Sequence, residues 1–293
     1  MIKKPFTFYG GKGLIKNKII PLLPPHREYV EPFAGSAAVF FAKKPALIET
    51  LNDVDGAVMN FYKVLRDVEL FEKLVLRLNL TPYARDEYKD SRNEWPREND
   101  LFEKAVKWFI ANEMAFSATT DHYSWKKATL TSKGKMAECV SKYLNRINGL
   151  FEFHLRLRMA QIENVDFRRI LKSHNAPSTL AYCDPPYLKS TRGSHGYLFE
   201  MTEIDHYELV QLLLDYSGMV VLSGYDNAIY QPLLKAGWIR TEIPTFCFAV
   251  GRTSIDRKGA GGLEDFKRLE IIWRNPGAMA AIQKAQECPN NSA

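Results

Sequence analysis

Short apolar runs that stop at glycine, proline or an acid open the chain. Phe6-Thr7-Phe8-Tyr9 precedes Gly10-Gly11, Glu28-Tyr29-Val30 precedes Pro32, and Ala46-Leu47-Ile48 precedes Asn52-Asp53. Runs of this length between turn formers predict strands followed by short helices, the α/β pattern. From about residue 56 to 161 the period changes, and charged and apolar residues recur at three- and four-residue spacing, most clearly over 68–75 and 101–114. That spacing predicts a mainly helical unit. Strand-like runs return at 179–183, 219–222 and 269–273, with a helix predicted over 209–214. The simplest account is a discontinuous α/β domain, residues 1–55 and 162–276, interrupted by a helical insert at 56–161. A loose tail is expected at 277–293.

Composition narrows this only slightly. The chain has 293 residues, 46% hydrophobic and 25% charged, which suits a globular protein with a sizeable core. Its 40 Lys+Arg against 34 Asp+Glu permit an anionic partner without requiring one. The distribution is more telling. Between His122 and Asn148 stand six basic residues (Lys126, Lys127, Lys133, Lys135, Lys142 and Arg146) against one acid, Glu138, with Tyr123, Trp125 and Tyr143 among them. Such a stretch suits a phosphate backbone, and a solvated helix face would look the same. The cysteines Cys139, Cys183, Cys247 and Cys288 have no C-x-x-C spacing, which argues against a zinc site or disulfide framework. No apolar run reaches the roughly 18 residues of a membrane span, so a cytoplasmic protein is expected.

Four stretches carry candidate chemistry. In Phe8-Tyr9-Gly10-Gly11-Lys12, paired glycines let backbone approach a ligand and Lys12 offers a cation, although a plain glycine turn explains the same letters. In Glu31-Pro32-Phe33-Ala34-Gly35-Ser36, a strand ends at Glu31 and turns at Gly35. A small-residue helix with Ser36 as cap is expected to follow. The first such turn of a doubly wound sheet is where a nucleotide-like cofactor lies. Asp53 follows Gly35 by 18 residues, close to the ~20 at which a second-strand acid takes ribose hydroxyls, and it would serve equally as a cap for the next helix. Finally, Thr179-Leu180-Ala181-Tyr182-Cys183 reads as a buried strand stopped by Asp184-Pro185-Pro186-Tyr187. Prolines cannot donate to a ladder, so the strand must end there. Asp184 and the Pro185 carbonyl are left as acceptors at the sheet edge where ligands bind, with Tyr187 as a planar wall.

With Arg252-Thr253-Ser254-Ile255 and Glu270-Ile271-Ile272 following in order, these blocks resemble the Dam-like, α-group DNA adenine-N6 methyltransferases. The likeness runs over roughly residues 5–275 apart from the insert. It implies a Rossmann-like methyltransferase sheet with an inserted, mainly helical target-recognition domain, and S-adenosyl-L-methionine as cofactor. Phe8, Tyr9, Gly10 and Lys12 would contact that cofactor, with Lys12 near its carboxylate. Glu31, Phe33 and Gly35 would turn around it, Asp53 would take its ribose, Asp166 and Phe167 would lie beside its adenine, and Asp184 would border it. Asp184, Pro185, Pro186 and Tyr187 would form the catalytic set.

The chemistry has a reason. The exocyclic nitrogen of adenine is a weak nucleophile because its lone pair is delocalised. Acceptors on its hydrogens favour a pyramidal nitrogen and stabilise the charge that develops on it. The target base must leave the stack, and Tyr187 would give it a face to stack on. The expected partner is double-stranded DNA, held by Lys126, Lys127, Lys133, Lys135 and Arg146, with Asn112, Ser117, Thr119 and Arg146 in reach of base edges. A restriction endonuclease partner encoded outside this chain is compatible with this reading, no metal is required, and the insert lacks the family's GATC-reading pattern. The alternatives are an N4-cytosine DNA or RNA adenine methyltransferase, or a catalytically silent DNA-binding homologue.

Overall fold

The computed structural model describes residues 4–116, 124–128, 130–132, 135–189, 198–246 and 267–287. Within them lie β1 (Glu28–Glu31), β2 (Ile48–Asn52), β3 (Gln161–Glu163), β4 (Thr179–Cys183), β5 (Met219–Gly224), β6 (Ile239–Phe246) and β7 (Lys267–Arg274). These pair in one sheet, in the order β3-β2-β1-β4-β5-β7-β6. The strands from β3 to β5 are parallel, and β7 runs antiparallel to both β5 and β6. The order reverses between β1 and β4, and a crevice opens at such a switch point beyond the strand C-termini.

The helices are α1 (Lys16–Ile19), α2 (Gly56–Arg66), α3 (Val68–Asn79), α4 (Arg85–Glu94), α5 (Leu101–Met114), α6 (Glu138–Asn148), α7 (Leu150–Leu157), α8 (Phe167–Ser173), α9 (Glu203–Leu214), α10 (Gln231–Lys235) and α11 (Pro276–Glu287). All of α2 to α7 lies between β2 and β3, which is the inserted helical stretch read from the sequence. Strand alternation decides the layers. Tyr29, Leu180, Tyr182, Met219 and Val221 face one core, and Val30, Ala181, Cys183, Val220 and Leu222 face the other with α8 and α9. The first core is continuous from the sheet through Phe61 and Tyr62 to Trp108, Phe109 and Tyr143, so the helices extend one face of the sheet and share its interior.

Four local expectations are corrected. Residues 6–9 form no strand: the Thr7 N–H donates to Glu113 and its carbonyl accepts from Asn112, so α5 side chains replace a sheet ladder. Residues 36–40 form turns and no helix, because Gly35 and Ala37 both take left-handed backbone, with φ 47° and 46°. The tail is not loose over its first part, since α11 begins at Pro276. Asn275 fixes it there, with Oδ1 accepting from Val220 and Ala278 N–H and Nδ2 donating to the Gly218 carbonyl. Strand β6, unforeseen, gives β7 its outer partner.

Candidate active site

The crevice is assembled from the C-terminal ends of β1, β2, β3 and β4. After β1, the chain turns at Gly35, whose N–H donates to Asp53 Oδ2 at 2.7 Å. A Cβ at Gly35 would stand 2.6 Å from Phe8 Cε1, so glycine is required by both conformation and space. After β2, the buried Asn52 joins three strand ends: its Nδ2 donates to the Pro32 and Val165 carbonyls at 2.9 Å, and its Oδ1 accepts from Val165 N–H. Asp53 follows. It does not cap α2, because Asp55 does, accepting from Ala57 and Val58 N–H. Asp53 Oδ1 instead accepts from Asp55 N–H. After β3, Asp166 caps α8, and Phe167 stacks obliquely on Phe33 at 5.4 Å.

After β4 comes Asp184, whose Oδ1 accepts from Lys12 Nζ at 2.6 Å and from the Tyr187 hydroxyl at 3.1 Å. Both contacts fall on Oδ1, and Oδ2 has no partner among the described residues. Between these strand ends lies a cavity of about 430 Å³. Burial raises the carboxyls of its floor: Asp53 and Asp184 to about 6, and Glu31 to about 8. Lys12 is raised despite its burial, because Asp184 and then Glu270 favour its charge.

The profile of the D12 class N6 adenine-specific DNA methyltransferases matches residues 8–242. The chain belongs to this family. Two curated relatives are similar to it: the DNA N-6-adenine-methyltransferase of Escherichia phage P1, 26% identical over 72% of this chain, and the Retron Ec67 DNA adenine methylase of Escherichia coli, 26% identical over 77%. The chain spans 28% of the phage protein's length and 78% of the retron protein's. Among solved structures, the yhhF protein of Escherichia coli aligns over 89% of this chain and 82% of its own, at 13% identity and a TM-score of 0.33, a likeness that carries no argument.

In this D12-class chain the cavity brings together Phe8, Tyr9, Gly10, Lys12, Glu31, Phe33, Gly35, Asp53, Asp166, Phe167, Asp184 and Pro186. Three expected residues are placed differently. Pro185 is buried and is not part of the cavity lining. Tyr187 is buried, not a bare wall, with its hydroxyl turned to Glu270, Asp184 and Ser223 and its edge against Tyr225. Lys12 is committed to Asp184 and so is not a free cation at the cavity mouth.

On the insert, Arg146 is tied inward, donating to Glu113 and to the Lys4 carbonyl, which corrects its assignment as a phosphate contact. Lys127 and Lys135 are exposed and Lys126 is half-buried. Lys133, Ser117, Thr119 and residues 252–255 lie outside the described residues.

The insert also supplies lining that sequence reasoning missed: Trp95 and Trp108. Asn112, expected at base edges, lines the cavity too. Trp108 and Asn112 are four residues apart and so share one face of α5, a polar group beside a large ring that the spacing already carried.

Among the described residues no helix is long and apolar enough to cross a membrane.

Proposed function

We propose that the chain transfers the methyl group of S-adenosylmethionine to N6 of an adenine flipped out of double-stranded DNA. The observation that carries this reading is Asp184: a half-buried, ionisable carboxylate at the end of β4, one oxygen held by Lys12 and the other without a partner among the described residues, on the wall of a cavity about 430 Å³ in volume. A cavity of that size suits a cofactor-sized ligand.

The residues present fit the cofactor. Asp53 offers acceptors for a ribose, the Phe33–Phe167 pair offers rings to an adenine, and the missing side chain at Gly35 lets the Phe8 ring pack against the turn. When bound, S-adenosylmethionine supplies an electrophilic methyl group on a sulfonium. Asp184 Oδ2 and the Pro185 carbonyl would accept from the substrate amine, holding its lone pair outward and stabilising the charge it gains. With Tyr187 turned inward, an extruded base would stack on rings that line the cavity, Tyr9 among them. The exposed Lys127 and Lys135, with Lys126, would hold the duplex backbone.

Labelled S-adenosylmethionine offered with double-stranded DNA, single-stranded DNA and RNA tests this reading, with N6-methyladenine in the duplex as the expected product. Label on cytosine N4 or in RNA alone would refute it, as would an Asp184→Ala chain that still transfers methyl groups.

A further inference from the structure

Glu270 lies on β7, beyond residue 242 where the family match ends, and it is only 3% exposed. A carboxylate in such a place is costly unless its neighbours satisfy it. Its Oε1 accepts from the Ser223 hydroxyl at 2.6 Å and from the Tyr187 hydroxyl, and stands 3.5 Å from Lys12 Nζ. Strands β5 and β7 and the chain after β4 therefore converge on one oxygen, and the same Tyr187 and Lys12 also touch Asp184.

A proton inventory gives this cluster a direction. Tyr187 has one hydroxyl proton and two carboxylates within reach, with the shorter contact to Glu270 and the longer, 3.1 Å, to Asp184. The proton therefore goes to Glu270. Lys12 then donates to the Tyr187 oxygen and to Asp184 Oδ1. Among the described residues Asp184 then receives the ammonium group alone, on Oδ1.

We propose that Glu270 is a positioning residue for Asp184: it draws the Tyr187 proton and Lys12 inward, so that Oδ1 stays on Lys12 and Oδ2 is left for the substrate amine. This rests on the reading of Asp184 given above. Without the Glu270 charge, the Tyr187 hydroxyl turns to Asp184, which becomes a poorer acceptor. The ionisable groups that act on this cluster are Lys12 from the N-terminal loop, Tyr182, Asp184 and Tyr187 on and after β4, Tyr225 after β5 and Glu31 at the end of β1, with Cys183 and Tyr230 acting from the other core.

The test is methyl transfer to double-stranded DNA by the full chain and its Glu270→Gln, Glu270→Asp and Tyr187→Phe variants, from pH about 5 to about 8.5. For Glu270→Gln, kcat should fall about tenfold or more, as for loss of a hydrogen bond to a charged group, with KM for both substrates within about twofold. The acid limb of kcat should move to lower pH, because Glu270 is one of the influences that raise Asp184. Glu270→Asp keeps the charge and should keep the limb.

Tyr187→Phe removes the oxygen to which Lys12 donates, and so loosens the hold on Lys12 that Glu270 exerts through it, while all charges remain; it should lower kcat without changing KM, and it carries the test if Glu270→Gln does not fold. Combining it with Glu270→Gln should add little to the larger single loss. The proposal is overturned by a Glu270→Gln chain with wild-type kcat and an unmoved limb, by wild-type kcat in Tyr187→Phe, or by fully additive losses. A wild-type chain that methylates no nucleic acid overturns the functional reading, and this inference with it.

Discussion

Replacing Gly35 with alanine separates two demands made on one residue. The backbone there has φ 47°, a conformation that costs a residue with a Cβ about 1–2 kcal/mol. For a chain of this size, that corresponds to a fall in Tm of roughly 2–3 °C. The second demand is spatial. The new Cβ would lie 2.6 Å from Phe8 Cε1 and 2.9 Å from Cδ1, so the ring must leave its place on the cavity wall. Gly237→Ala is the control, because its φ of 82° imposes the same class of strain, whereas its Cβ would meet only Pro276 Cγ at 3.9 Å. Both variants should lose thermal stability, and only Gly35→Ala should lose S-adenosylmethionine affinity, by about tenfold or more, the effect of a misplaced ring on a closely packed ligand. Calorimetric titration with a melting curve for each variant measures both quantities. Wild-type affinity in Gly35→Ala, or an equal loss in Gly237→Ala, would refute the argument that Phe8 and Gly35 shape the pocket together.

Asp53→Ala should raise the cofactor's Kd while costing less stability than Asp55→Ala, which removes a helix cap worth about 1 kcal/mol; the reverse order in melting curves would restore Asp53 as the cap. Lys126→Ala with Lys127→Ala should weaken DNA binding and flatten the plot of log affinity against log salt by about two units, and an unchanged slope removes that stretch from the interface. Arg156→Ala should cost about 3 kcal/mol in urea unfolding, because Arg156 on α7 pairs with the buried Glu49 on β2; a loss under about 1 kcal/mol would show that Lys43 suffices for that carboxylate.

The lining at the strand ends was legible because its residues stand where a strand run meets a glycine, a proline or an acid, and such junctions are punctuated in the sequence. Asp184 and the Gly35 turn are of this kind. What could not be read depends on contacts across the chain. Phe6-Thr7-Phe8 has the composition of a strand, yet its polar backbone groups are taken by Asn112 and Glu113, more than a hundred residues away. Arg146 looks like a phosphate contact in a basic stretch, and only tertiary packing shows it bonded to Glu113 and Lys4. Tyr187 was expected to face the cavity and turns inward instead, since an aromatic ring after two prolines does not reveal which way its hydroxyl points. The turns at 36–40 follow from Ala37 at positive φ, which helix propensity argues against.

Glu31 gives the pocket a pH signature whose sign is fixed by burial. Its carboxyl is raised from 4.5 to about 8, burial being the largest cause, opposed by the hydrogen bonds from the Tyr29 hydroxyl and the Phe40 N–H to Oε1. Between those two values the folded chain holds a proton that the unfolded chain has released. The resulting stability is complete below pH about 4.5 and is lost as the pH rises through about 8, at up to about 1.4 kcal/mol per pH unit. Between pH 7 and 8 the other raised acids of the site, at about 6, have already ionised, and His26 and His206, both lowered by burial, are already neutral. Lys4, Lys16 and Lys43 are lowered by burial and contribute with the opposite sign, so the Glu31 part of the slope is the difference between the wild type and Glu31→Gln. From pH 7 to 8 at constant ionic strength the wild-type Tm should fall by roughly 2 °C relative to Glu31→Gln. Parallel profiles of the two chains would mean that Glu31 enters the cavity ionised. A fall of that size would place a carboxylic acid at the end of β1 beside carboxylates at the ends of β2 and β4, so that Glu31 could donate a hydrogen bond within the cavity.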